Sequence, residues 1–289
     1  MKLIYLLLLF WIIPVYGDDI RPPIRFGITA VVVTENLRFL DQWSQYLSKK
    51  INRKVEFELR KSYREVMDLL DSGSLEFAWI CGFPYVQTRE PETIQLLTVP
   101  EYRGQPLYHS YIIVPQDSPV KNLSDLEGKV FAFSDPDSNS GFLYPLSLLS
   151  KQDKNLETYF RQTFFTFNHA ETVQAVSEQF ADGGAVDSYI WEYLAIFKPE
   201  ITEKTRIINT SPVFGFPPIV SRLDVSRFTV QKMKKILENM NEDIEGRVLL
   251  AQLKLDGFGH YSDSLYTGIR VMANKAQQVG SNFNPLPTH

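Results

Sequence analysis

Ser138-Asn139-Ser140-Gly141 is the stretch of this chain best equipped for chemistry. Three helix-capping residue types stand in a row. They follow the turn residues Ser134-Asp135-Pro136-Asp137 and precede the apolar Phe142–Leu149 segment. Such side chains bond to nearby backbone. A helix that begins here also leaves N–H groups unpaired at the positive end of its dipole. Two readings fit: an ordinary capped helix after a strand, or a cradle for a small oxyanion. No lysine or arginine lies within the motif. A cradle of this kind would select by hydrogen-bond geometry and proton count rather than by bulk charge. Hydrolytic chemistry is disfavoured. Ser138, Ser140, His169 and Asp187 supply the residue types of a triad, but they sit at expected helix starts and no G-x-S-x-G elbow is present. The chain has four histidines, no H-E-x-x-H and no paired cysteines. The expectation is a binding protein rather than an enzyme, with no metal or cofactor.

Alternating strands and helices must bring these residues together. Val130–Phe133 is a short apolar strand that feeds the motif. Upstream, Ile24–Thr29 reads as a strand. Glu35–Ile51 reads as an amphipathic helix, with Leu37, Leu40, Trp43, Leu47 and Ile51 at helical spacing. Val55–Leu59 alternates as a strand. Ser62-Tyr63-Arg64-Glu65 has the form of a capping box, with a helix to Gly73. Leu75–Ile80 is the next strand, and Cys81–Tyr85 turns into a short helix. In the middle of the chain Tyr108–Pro115 and Thr163–Phe167 read as strands. Asn168-His169-Ala170-Glu171 repeats the capping-box form, and the strand Gly184–Asp187 leads into a helix through Trp191 and Leu194. Arg206–Asn209 and Pro218–Ser221 read as strands returning toward the first half. Phe228–Met240, Glu245–Leu255 and Leu265–Val279 read as helices.

This order predicts an α/β fold of two lobes, each with a mixed, mostly parallel sheet, joined by two hinge crossings near Tyr108 and Thr210. The expected boundaries are 18–107 with 207–289 for the first lobe and 108–206 for the second. Ligands of such sheets lie beyond the C-terminal strand ends, or in a cleft between lobes. Thr29–Thr34, Arg60–Ser62 and Cys81–Tyr85 fall at such ends. Tyr108, Thr34 and Tyr189 fall at the expected mouths of the cleft.

The 289 residues are 44% hydrophobic and 22% charged, enough mass for two cores. Net charge is -4 with no basic stripe, so nucleic acid is not an expected partner. Met1-Lys2, an apolar run and a break at Gly17 have the form of a cleavable secretory signal over residues 1–17. The sole cysteine, Cys81, does not follow the cut, so no lipid anchor is indicated. It cannot form an internal disulfide, and its apolar neighbours favour a buried small side chain.

Several segments in order resemble the phosphate/phosphite/phosphonate-binding proteins of ABC importers. They are Gly27-Ile28-Thr29, Ser62–Val66, Phe77-Ala78-Trp79 with Tyr85-Val86, Tyr111–Val114, Leu123–Gly128, Phe131–Gly141, Asn168-His169-Ala170 and Val186-Asp187-Ser188. The resemblance implies a type II periplasmic-binding-protein fold that closes on its ligand about a hinge. It also implies a periplasmic location, a small phosphorus oxyanion as ligand, and delivery to an inner-membrane permease. By that resemblance Ser138-Asn139-Ser140 matches the family's serine-threonine-serine triplet, with Asn139 where threonine is usual. His169 matches the pocket histidine, Asp187 the pocket acid and Tyr85 the pocket tyrosine. A carboxylate beside an anion is repulsive unless the anion carries a proton or an ammonium group, so Asp187 disfavours sulfate. The same side chain could simply cap the helix at Tyr189. Such a receptor is expected to act as a monomer. An alternative keeps the fold and changes the destination: a ligand-sensing subunit for a membrane histidine kinase or chemoreceptor.

Overall fold

The computed structural model describes residues 21–29, 37–87 and 93–279. The expected signal segment and Thr34 lie outside them. Thirteen strands occur among the described residues. In chain order they are β1 (Ile24–Ile28), β2 (Val55–Leu59), β3 (Phe77–Trp79), β4 (Ile94–Glu101), β5 (Leu107–Tyr108), β6 (Ser110–Pro115), β7 (Val130–Phe133), β8 (Gln162–Phe165), β9 (Gly183–Asp187), β10 (Thr205–Thr210), β11 (Phe214–Gly215), β12 (Ile219–Arg222) and β13 (Gly257–Gly259). They form a six-stranded sheet in the order β13-β4-β12-β3-β1-β2 and a five-stranded sheet in the order β10-β6-β9-β7-β8. In the first sheet β1 runs parallel to β2 and β3, while β12 is antiparallel to β3 and β4. In the second, β7 runs parallel to β8 and β9, and β6 is antiparallel to its neighbours. Each sheet is therefore mixed with one prevailing direction, the two-lobed α/β arrangement expected.

The two chain crossings pair with each other. β5 and β11 form an antiparallel ladder with Phe214 opposite Tyr108 and Gly215 opposite Leu107. The boundary drawn at 206/207 needs correction. β10 belongs to the second sheet through its pairing with β6, so the chain leaves that lobe after Thr210. The pattern Arg206–Asn209 marks a strand but carries no information about which sheet receives it. The strand expected over Tyr108–Pro115 is broken at His109 into the hinge strand β5 and the lobe strand β6. Three strands had no sequence signal: β4 lacks clear alternation and contains Pro100, β11 is two residues long, and β13 is three residues with two glycines.

Each lobe has an aromatic core. In the first, Phe26, Trp43, Phe57, Phe77, Trp79 and Phe258 meet ring to ring. Leu40, Trp43, Leu47 and Ile51 are the buried face of the helix Leu37–Ile51, as their spacing requires. Each such side chain contributes roughly 1.5–3 kcal/mol of transfer energy when fully buried. In the second lobe Phe131, Phe133, Phe142, Phe160 and Phe165 pack together. This cluster clamps the chain on both sides of Ser134–Gly141 and so fixes the turn between them. Among the described residues no helix is long and apolar enough to cross a membrane.

Candidate functional site

The Ser138 turn is built by short-range bonds. Ser134 Oγ donates to the Ala185 carbonyl at 2.8 Å, anchoring the end of β7 to β9. Ser138 is the helix cap, its Oγ accepting from Gly141 N–H at 2.9 Å. The first turn, Asn139–Leu143, is wound as a π-turn, and the α-helix proper is Tyr144–Ser150. That widened turn differs from the single helix expected from Phe142; such turns recur at functional sites. Gly141 is required here, because a Cβ would lie 2.5 Å from that of Ser134.

The expected residues of the second lobe converge. His169 opens the helix His169–Ser177, behind the cap Asn168. Asn168 bonds Ala170 N–H rather than closing a reciprocal box with Glu171. His169 Nδ1 is 3.1 Å from the backbone N–H of Asp187. A backbone N–H only donates, so Nδ1 accepts. Burial pushes the imidazole down to about 3 and keeps it neutral, which leaves its proton on Nε2. Nε2 lies 3.2 Å from Tyr63 Oη and 3.5 Å from Ser138 Oγ. A ring nitrogen that already holds its proton is a donor toward these two hydroxyls, the nearer being Tyr63, and not a base for Ser138.

Asp187 ends β9 and caps the helix Ser188–Phe197, its Oδ1 accepting from Tyr189 N–H at 2.8 Å. It is 2% exposed, and burial pushes its carboxyl up to about 8 despite the capping bonds. The cap and the site position are therefore the same residue. Burial likewise raises Asp135 to about 7. Tyr189, expected at the cleft mouth, is buried and donates to the Leu253 carbonyl.

The first lobe and the crossings close the site. Asn139 N–H donates to Cys81 Sγ at 3.3 Å, and its Nδ2 to Tyr108 Oη at 2.9 Å. Asp135 Oδ2 accepts from Tyr63 N–H, the first residue behind the Ser62 capping box. Arg64 pairs with Asp137 at 2.9 Å. Ser138, Asn139, Ser140, His169, Asp187, Tyr108, Tyr63 and Cys81 are all buried, so the lobes are closed on each other. The thiol of Cys81 is pushed up to about 12 by burial, which keeps it uncharged. Tyr85 is placed in the first lobe, but its hydroxyl donates to Asp263 at 2.8 Å and its ring meets Tyr266 edge-on. Sequence reasoning missed Tyr63, Cys81 and Asp135 as site residues. The signal available for Tyr63 was its place just beyond the end of β2, inside the recognised capping box.

Two lobes on paired crossings, with a sealed polar site between them, define a two-lobed solute receptor of the type II binding-protein fold. The chain belongs to the family of periplasmic substrate-binding proteins of phosphonate ABC transporters, whose family model matches residues 26–266. A phosphonates-binding periplasmic protein of Escherichia coli (strain K12) is 26% identical over 279 residues, 94% of this chain and 82% of the relative. A binding-protein component of an ABC phosphonate transporter from Pseudomonas aeruginosa superposes with a TM-score of 0.83 at 21% identity, covering 91% of both chains. A Prochlorococcus marinus (MIT 9301) protein in complex with methylphosphonate superposes with a TM-score of 0.76 at 19% identity, covering 88% of this chain and 98% of that one.

Proposed function

We propose that this protein captures a small phosphorus oxyanion (phosphonate, phosphite or phosphate) between its lobes, in the periplasm, and hands it to an inner-membrane permease. The observation that carries this reading is the proton arrangement of the site. A neutral His169 presents Nε2–H beside the hydroxyl of Ser138, and a buried carboxyl, Asp187, stands next to it. Neutral donors satisfy an oxyanion by charge-assisted hydrogen bonds, worth roughly 1.5–3 kcal/mol each. While it holds its own proton this carboxyl can donate to an anionic oxygen; once ionised it accepts only from an oxyanion that carries a proton, and in that form it opposes sulfate. Ser138, Asn139, Ser140, His169 and Asp187 form the ligand-binding wall of the second lobe. Tyr108 and Tyr85 serve from the other side, Tyr85 through its ring because its hydroxyl is held by Asp263.

The role is capture without turnover. His169 offers Ser138 a proton rather than taking one, and Nδ1 is held by the Asp187 backbone instead of its carboxylate. Calorimetry and thermal unfolding of the mature chain with methylphosphonate, phosphite, phosphate and sulfate test the reading. At a hundred times its dissociation constant a true ligand adds about 2.7 kcal/mol of stability. Equal or tighter binding of sulfate, or no response to any phosphorus oxyanion, overturns it.

A further inference from the structure

Two neighbouring side chains at the lobe interface carry buried polar atoms whose hydrogen-bonding capacity the protein leaves unfilled. Asn139 is 0% and Ser140 1% exposed; Asn139 Oδ1 has no hydrogen-bond partner, and Ser140 Oγ makes no bond of good geometry, with only the Tyr108 hydroxyl beside it. Buried polar atoms are nearly always paired. The other unpaired atoms of this kind among the described residues, on Trp43, Thr98, Ser221 and Glu238, belong to elements of the first lobe. The adjacent pair is in the ligand-facing turn. The Asn139 amide is turned with Nδ2–H on Tyr108 Oη at 2.9 Å, and the Tyr108 hydroxyl has Ser140 beside it to take its own proton, which leaves Oη as the acceptor for the amide. Tyr108 is in turn fixed on β5, its ring against Phe214 and Phe216. The end left free is the carbonyl oxygen, which accepts and cannot donate.

Resting on the phosphorus-oxyanion reading above, we propose that Asn139 Oδ1 accepts a hydrogen bond from a protonated ligand oxygen, so that the site takes the monoanion and rejects the fully ionised dianion. A dianion offers only lone pairs, which would face the amide oxygen unfavourably in a buried setting. A monoanion offers one P–OH to Oδ1 and bare oxygens to Ser140 Oγ, which can donate. Asn139 is then a specificity residue and Tyr108 a positioning residue that holds the amide in register.

The other titratable or charged groups around the turn are Tyr63, Arg64, Cys81 and Tyr108 from the first lobe and the crossing, and Asp135, Asp137, His169 and Asp187 from the second. Asp187 is the one that would also share a ligand proton, so the test removes it. Methylphosphonate, whose second ionisation falls within the interval, is titrated by calorimetry at pH 6 and pH 9 into Asp187→Asn and into Asp187→Asn with Asn139→Ser. In the single variant affinity falls about thirtyfold between the two pH values, as binding of the monoanion alone requires. With Asn139→Ser, whose hydroxyl can donate to a dianion, the fall is less than fivefold. Asp135 and the rest titrate equally in both proteins and cancel in the comparison. Tyr108→Phe in the same background frees the amide to turn and flattens the profile too; it carries the comparison if Asn139→Ser does not fold. Matching pH ratios in all three proteins, with binding intact, overturn the assignment to Asn139. Failure of the wild-type chain to bind methylphosphonate at either pH overturns the ligand reading instead, and the inference falls with it.

Discussion

Replacing Asp187 with Asn should stabilise the ligand-free protein, and by an amount that grows with pH. The carboxyl is 2% exposed, and burial raises it from an ordinary value of 3.8 to about 8. The folded protein therefore binds a proton there that the unfolded chain releases above pH 4. Stability that Asp187 leaves intact in acid is lost as pH rises from about 4 to about 8, at up to about 1.4 kcal/mol per pH unit, and no further loss follows above that. The upper limit at alkaline pH is roughly 6 kcal/mol. Asn keeps the capping oxygen for Tyr189 N–H, and Asn and Asp cap equally well, so the cap term cancels. Asp135, raised to about 7, and His169, lowered to about 3, give pH slopes of their own, but identically in both proteins. The assay is urea unfolding of the ligand-free mature chain at several pH values from 4.5 to 9, plotted as the difference between variant and wild type. A rising difference that levels off near pH 8 is the expected curve. A flat difference, or a wild type more stable than the variant at pH 8, would refute the claim that the folded chain holds this carboxyl in its protonated form.

Three other outcomes are expected. Ser138→Ala with Ser140→Ala removes the two hydroxyls of the proposed binding wall and should weaken every oxyanion by roughly a hundredfold or more, at about 1.5–3 kcal/mol per bond; calorimetry with unchanged affinity would exclude this turn as the binding wall. Arg64→Ala breaks the half-exposed pair with buried Asp137 across the lobes. It should cost about 0.5–1 kcal/mol of binding at low salt and less at high salt, checked by the same titration at two ionic strengths. Cys81, the only thiol, is buried at the lobe interface and held uncharged. With saturating ligand it should resist a disulfide reagent until the chain is denatured, when one equivalent reacts; fast labelling of the liganded protein would place the thiol outside the closed interface.

The second-lobe half of the candidate site was legible because its residues are local. Ser138, His169 and Asp187 each sit at a strand end and start a helix, and capping chemistry leaves a short-range signature. The first-lobe half was not. Tyr63 reaches His169 across 106 positions and Cys81 meets Asn139 across 58, distances over which one chain carries no periodicity to read. Tyr85 shows the limit from the other side. Its position suggested a pocket hydroxyl, and the partner that claims that hydroxyl, Asp263, lies 178 residues away. Helix faces such as Leu40, Trp43 and Leu47 were readable because burial repeats along them. β4 and β13 were invisible because pairing with distant strands, rather than their own pattern, makes them strands.

The ladder between β5 and β11 has a mechanical meaning. Two free crossings would let the lobes twist and slide as well as bend. Two crossings zipped together at Tyr108–Phe214 and Leu107–Gly215 act as one ribbon, and a ribbon bends most easily in one direction. Motion between the lobes is then close to a single coordinate, so one spectroscopic distance across the cleft would report the whole of it. Tyr108 lies on that ribbon and also bonds Asn139, so a residue of the proposed binding site is part of the axle itself. Occupancy of the site and the angle of the lobes are in that sense a single variable, which a membrane partner could read simply as the spacing between two patches on the receptor's surface.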